Sequence, residues 1–200
     1  MILGIIIARL TSSRLPKKQL KAINGLPLIH HLINCLQMVE NIDKIILATG
    51  SEKENGELAN YVSDLGVETF YDTDVNDVTG RIARAGKYYA ADIVVTISGD
   101  CPLIDSEFVD EGLALLKQSE ADYVYVDHSK YECLHEGIGF YTLSAWEKLN
   151  KLSSTWYHKE HPGSILKEQK DLFKGIEIIP HKDFQRHDFR MSVDTSSDLF

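Results

Sequence analysis

Apolar residues run unbroken from Ile2 to Ala8, the pattern of a strand buried on both faces of a sheet. The pattern returns at Lys44–Thr49 and Asp92–Ser98, with shorter versions at Val67–Tyr71 and Asp122–Val126. Between these runs the period lengthens. Leu28, Ile29, Leu32, Ile33 and Leu36 recur at helical spacing, and Gly25-Leu26-Pro27 opens that helix with Pro27 in its first turn. Glu57–Leu65 reads as a helix closed by Gly66, after a loop over Gly50–Asn55. The loop Asp72–Asp77 leads into a helix near Val78–Ala90, and Asp105 caps another that runs through about Lys117. Strands alternating with helices predict an α/β domain whose mixed, mainly parallel sheet is flanked by helices.

After residue 126 the rhythm changes. Glu136–Leu143 reads as extended, with Ser144 capping a short helix over Ala145–Asn150. Trp156–Gln169 is predicted helical with a break at Pro162-Gly163. Gly175–Pro180 and Phe189–Val193 are predicted late strands, and Thr195–Phe200 begins a helix that the sequence cuts off. No repeat or linker divides the chain, so residues 1–200 are expected to form one domain with a shortened C-terminal helix.

Charge adds a feature that hydropathy does not show. The net charge is −9, yet residues 1–39 carry five basic side chains and no acid, which leaves the rest at −14. An acidic body repels nucleic acid in bulk, whereas a small anion drawn into one basic recess suits this distribution. Arg9, Arg14, Lys17, Lys18 and Lys21 follow the first strand, with Pro16 excluding one continuous helix. Cys35, Cys101 and Cys133 are widely spaced and form no CxxC pair, which predicts reduced thiols in a cytoplasmic protein. The apolar start is too short to span a membrane and lacks a basic leader region, so no membrane partner is expected.

Ligands of open α/β sheets bind beyond the carboxyl ends of the strands. Three features fall there: the basic loop, Asp100 after the fourth strand, and Asp194 after the last. Two carboxylates facing a phosphate chain suit Mg²⁺, which takes few protein oxygens and shares the rest with phosphate and water. Taken singly, each has a plainer reading. The basic residues make a solvated loop, Asp100 caps the turn before Pro102, and Asp194 caps the final helix. Their joint placement favours a nucleotidyl-transfer site. His158 and His161 lack a third ligand nearby and read as surface or acceptor-pocket residues rather than a zinc site. His30-His31 reads as structural, and Trp146 and Trp156 as packing anchors.

Ala8-Arg9-x-x-Ser12-Ser13-Arg14-Leu15-Pro16-x-Lys18, followed by Gly25-x-Pro27-Leu28, resembles the opening of the cytidylyltransferases that activate sugar acids. These are the relatives of CMP-Kdo and CMP-sialic acid synthetases, and the SpsF-type spore coat polysaccharide branch is the most similar. Ile46-Leu47-Ala48-Thr49, Asp77-Val78-x-x-Arg81, Gly99-Asp100-Cys101-Pro102-Leu103-Ile104-Asp105, a Glu160-His161 pair and Val193-Asp194-Thr195-x-x-Asp198-Leu199 follow in family order.

The resemblance implies the nucleotide-diphospho-sugar transferase (glycosyltransferase-A-like) fold, with CTP as donor and Mg²⁺ as cofactor. Arg9, Arg14 and Lys18 would hold the triphosphate and neutralise the departing pyrophosphate. Ala8 and Ser12 would contact the nucleotide, Arg81 would help hold it, and Asp100 and Asp194 would bind the metal. The partners implied are CTP and a small anionic or hydroxylated acceptor, in a homodimer serving surface polysaccharide synthesis. Two alternatives stay open: transfer to a phosphorylated non-sugar acceptor, and a nucleotide-binding module without turnover. Lys17 stands where the family usually has glycine, and Gly137-Ile138-Gly139-Phe140-Tyr141 lacks the acidic residues that SpsF-type relatives carry around this strand.

Overall fold

The computed structural model describes residues 1–12, 14–130, 137–185 and 190–199. Its centre is a seven-stranded sheet. In chain order the strands of this sheet and of a small hairpin are β1 (Ile2–Ile7), β2 (Ala22–Ile23), β3 (Leu26–Pro27), β4 (Lys44–Thr49), β5 (Glu68–Tyr71), β6 (Ile93–Ser98), β7 (Tyr123–Tyr125), β8 (Ile138–Thr142) and β9 (Gly175–Glu177). The sheet order is β5-β4-β1-β6-β8-β7-β9, and β2 pairs with β3 in a separate two-stranded sheet. β1 lies parallel to both β4 and β6, with Ile5 opposite Ile46 on one side and Thr96 on the other. β8 runs antiparallel to both β6 and β7, so the sheet is mixed but mainly parallel.

The helices are α1 (Leu28–Leu36), α2 (Glu52–Asp64), α3 (Val78–Tyr88), α4 (Ser106–Gln118), α5 (Leu143–Leu152), α6 (Trp156–Glu160) and α7 (Ile165–Glu168). The pleat of β1 divides the core between the two faces. Ile2 and Ile6 pack with Ile29, Leu32, Leu58 and Leu113 of α1, α2 and α4. Leu3 and Ile5 point the other way, toward Ile82 and Ala85 of α3 and Trp146 and Leu149 of α5. That is why the strand reads as a continuous apolar run: both of its faces are covered. Gly112 lets α4 lie directly on the sheet, since a Cβ there would stand 2.5 Å from Phe140 Cζ.

Several boundaries differ from the sequence reading. α2 begins at Glu52, inside the predicted Gly50–Asn55 loop. Its first turn is Glu-Lys-Glu-Asn, which suits a helix N-terminus but carries no apolar periodicity to announce it. α5 begins at Leu143, and its cap is Thr142, whose Oγ1 accepts from Ala145 N at 3.2 Å, rather than Ser144. Leu26 and Pro27 form a strand of the small hairpin and precede the helix instead of lying in it. Arg190–Val193 do not form the predicted strand. Val193 N donates to Asp100 O at 2.9 Å, which fixes the segment without a ladder; Phe189 lies outside the described residues. The last helix is a 3₁₀ turn over Ser196–Leu199. Asp105 caps α4 as predicted, accepting from Glu107 N at 3.2 Å.

Trp146 is fully buried and donates to Thr79 O at 3.0 Å, but Trp156 is 65% exposed and anchors no core. Cys35 is a free thiol, and Cys133 lies outside the described residues. Among the described residues no helix is long and apolar enough to cross a membrane.

Candidate functional site

Strand order reverses between β1 and β6, and the loops that leave their carboxyl ends diverge to open a cleft. The cleft has a volume of about 500 Å³ and is lined by Ala8, Arg9, Ser12, Arg14, Lys18, Arg81 and Asp100, among others. Seven of the eight residues proposed from sequence therefore line one cavity. The eighth, Asp194, joins them through Lys18.

The basic loop is braced before it reaches the cleft. Asn55 Oδ1 accepts from Leu10 N at 2.9 Å, and Lys17 N donates to Leu10 O at 3.1 Å. Lys17 then adopts φ 55, ψ 31, the left-handed conformation that glycine enters without a Cβ penalty. The Lys17 ammonium pairs with Glu57 in solvent, away from the cleft. The kink turns the chain into a 3₁₀ turn, Lys18–Leu20, whose first side chain points inward.

Lys18 is 7% exposed, and its three donors are all used. Nζ donates to Asp100 Oδ2 at 2.7 Å, to Val193 O at 3.0 Å and to Asp194 Oδ1 at 3.2 Å. Asp194 Oδ1 also takes the Arg14 guanidinium at 2.9 Å, and its Oδ2 faces Arg190 at 3.4 Å. Asp194 itself is set by Asp198 Oδ2, which accepts from the backbone N–H groups of Asp194 and Thr195 at 2.8 Å each. Burial alone would raise the Asp100 carboxyl. The hydrogen bond and charge of Lys18, aided by Ser98 and Cys101, outweigh it and hold the group below the usual carboxylate range.

The other wall is built by α3 and α6. Arg81 is 1% exposed, and burial lowers its pKa, partly offset by the Asp72 carboxylate. Its Nη2 donates to Val75 O at 2.8 Å, while Nε is buried without a partner among the described residues. Arg9 Nη2 donates to Glu160 Oε1 at 2.9 Å, and Glu160 Oε2 is likewise buried and unpartnered. Thr79 Oγ1 donates to His158 O at 2.8 Å, tying α6 to α3. His158 is buried and its Nε2 donates to Glu168 Oε1 at 3.0 Å, so it supports α6 instead of lying on the surface, one of the two places expected. His161 lines the cleft. His30 and His31 bond Tyr61 and Ile23 O, the structural role assigned to them. Tyr141 also lines the cleft, its phenol pushed up to about 12 by burial and then by Tyr123. Ser12 Oγ accepts from Leu15 N at 3.4 Å, leaving its hydroxyl proton to donate.

Glu160 and Gln19 are the site residues that sequence reasoning left without a role. Glu160 lies 151 positions from Arg9, so no local pattern could pair them. Gln19 is 3% exposed on the cleft wall, with Oε1 unpartnered among the described residues, hidden in the sequence by its polar neighbours.

Among the described residues no group of three or more His, Cys, Asp or Glu side chains could hold a metal. The donor set at Asp100 and Asp194 is nevertheless hard oxygen only, two carboxylates meeting at one ammonium. That fits Mg²⁺, which completes its octahedron with phosphate and water instead of a protein cage.

A switch-point cleft with a cationic loop and an opposed carboxylate pair defines a nucleotidyltransferase-like site. The sequence matches the cytidylyltransferase family over residues 3–196, and the chain belongs to that family. It is 32% identical over 198 residues to an uncharacterized protein of Methanocaldococcus jannaschii, a match covering 99% of this chain and 80% of the relative. It is 30% identical over 135 residues to a 3-deoxy-manno-octulosonate cytidylyltransferase of Pelobacter propionicus, covering 68% of this chain and 52% of that enzyme. The chain thus matches about half the length of that relative. A cytidylyltransferase structure from Leptospira borgpetersenii superposes with a TM-score of 0.90 at 26% identity, covering 98% of this chain and 82% of that one. A CMP:2-keto-3-deoxy-manno-octonic acid synthetase solved with CTP shares the fold, with a TM-score of 0.72 at 19% identity over 99% and 95% of the two chains. The fold is the nucleotide-diphospho-sugar transferase fold expected from the sequence.

Proposed function

We propose that the protein transfers CMP from CTP to a sugar acid or related acceptor, releasing pyrophosphate, in the cytoplasm and for surface polysaccharide synthesis. The observation that carries the reading is the meeting of Lys18 and Arg14 with Asp100 and Asp194 at the switch point. A buried ammonium held by two carboxylates is a phosphate ligand stored with its counter-charge. When a triphosphate enters, Lys18, Arg14 and Arg9 turn to its oxygens, and the carboxylates are freed for Mg²⁺. Bound there, Mg²⁺ would offset the charge of the phosphates during transfer.

An acceptor oxygen attacks the α-phosphorus in line. The bond from that phosphorus to the bridging oxygen breaks, its electron pair leaves with pyrophosphate, and the acceptor proton passes to solvent. Arg9, Arg14 and Lys18 stabilise the departing charge, and Ser12 donates to a phosphate oxygen. Arg81 holds the nucleotide from the α3 side. No protein nucleophile is required.

Pyrophosphate release from CTP and Mg²⁺ with a panel of acceptors, including 3-deoxy-manno-octulosonate, tests the reading. Release with a sugar acid is expected. Release only with phosphorylated non-sugars would move the acceptor class, and CTP binding without release from any acceptor would leave a binding module.

A further inference from the structure

Among the described residues Arg81 Nε and Glu160 Oε2 are buried side-chain atoms without a hydrogen-bond partner, and both residues line the same cleft. One is a donor and the other an acceptor. Each side chain is otherwise fixed, Arg81 through Val75 O at 2.8 Å and Glu160 through Arg9 at 2.9 Å. Their elements are held together by the Thr79–His158 hydrogen bond at 2.8 Å. The two charges also sense each other, since Glu160 is among the groups that raise the Arg81 guanidinium against its burial. Yet they do not bond to each other. Buried polar groups left this way call for a partner, and both residues border the cleft.

We infer that Glu160 and Arg81 read the base of the bound nucleotide, Glu160 Oε2 accepting from the 4-amino group of cytosine and Arg81 Nε donating to the adjacent ring nitrogen. The inference rests on the proposed use of CTP. Cytosine presents an amino donor beside a ring acceptor, and uracil presents the reverse, a 4-oxo acceptor beside an N–H. Uracil would set its oxygen against the carboxylate and its N–H against the guanidinium N–H. A site built from polar partners in fixed order rejects a ligand of reversed order, because the buried groups stay unpaired. Adenine has the same donor–acceptor order as cytosine, so the pair separates CTP from UTP and not from ATP.

Calorimetric titration of the full chain with CTP, UTP and inorganic tripolyphosphate, each with Mg²⁺, tests this. The wild type is expected to prefer CTP to UTP by about tenfold or more. Glu160→Gln, whose amide can present either a donor or an acceptor, is expected to reduce that preference about tenfold, a ratio that any change in the hold of Arg9 on the shared phosphates leaves alone. Arg81→Lys keeps the charge but loses Nε, and is expected to weaken CTP without weakening tripolyphosphate. It also keeps the test open should Glu160→Gln fail to fold. Equal losses for all three ligands in Glu160→Gln would show that the carboxylate only positions Arg9, and would overturn the inference. A wild type that binds CTP and UTP alike would overturn it while leaving nucleotidyl transfer standing. Failure to bind any nucleotide would overturn both.

Discussion

Removing a proposed metal ligand should strengthen nucleotide binding when no metal is present. Asp194 holds Lys18 at 3.2 Å and Arg14 at 2.9 Å, two cations that a triphosphate must recruit. Without a divalent ion, phosphate binding strips them from Asp194 and leaves its carboxylate facing the new anion. The Lys18 side chain is only 8% exposed, so its hydrogen bond to a charged acceptor contributes about 1.5–3 kcal/mol. Arg14 is 66% exposed, and its share is about 0.2–1 kcal/mol. Asp194→Asn keeps an oxygen for either cation but removes the charge that competes with phosphate. Relief of even half of this competition corresponds to a roughly tenfold gain in metal-free CTP affinity, since about 1.4 kcal/mol is a factor of ten. With Mg²⁺ the sign reverses, because the variant lacks a carboxylate for the ion. Calorimetry of wild type and Asp194→Asn with CTP, in EDTA and in Mg²⁺, reads both signs. If the variant binds CTP more weakly than wild type in EDTA, the exchange of partners is refuted.

The Asp100–Lys18 pair predicts a specific acid limb of stability. The folded Asp100 pKa lies below its unfolded value of about 3.9, so the pair stabilises the protein above that value and the contribution is lost as pH falls through the depressed folded pKa. Urea unfolding of wild type and Asp100→Asn between neutral pH and the acid limb should show a stability gap that closes only at the acid end; a gap constant with pH would refute the linkage. Lys17→Gly removes a non-glycine residue from φ 55, and the left-handed strain of about 1–2 kcal/mol exceeds the glycine entropy cost of about 0.5–1 kcal/mol. A rise in urea midpoint is expected, and a fall would mean that the exposed Lys17–Glu57 pair matters more than the backbone.

The parts of this molecule that were legible in the sequence are those whose signal is local. β1, β4 and β6 show as apolar runs because helices cover both faces of the sheet, and α1 and α4 show by periodicity and by caps. α2 extends past its apolar stretch because its polar first turn is held by Ser51 O and acidic side chains, which leave no hydrophobic mark. The segment around Val193 has the composition of a strand; it is held instead by Asp100 O and Lys18, contacts no local window contains. The cationic loop and Asp100 stood out because each directly follows a strand. Glu160 did not, since its meaning depends on Arg9 and Arg81 arriving from two other elements.

The Lys18 ammonium also sets an order in time. Two of its three acceptors, Val193 O and Asp194 Oδ1, lie 175 and 176 residues farther along the chain. A nascent chain can form β1, β4 and β6 and their helices well before those acceptors leave the ribosome, because contacts nearer in sequence close first. Until they arrive, Lys18 has one carboxylate for company and the triphosphate wall has no far side. The cleft is therefore completed later than the strands that carry its first wall, and a chain cut before Val193 would lack two of the three Lys18 acceptors.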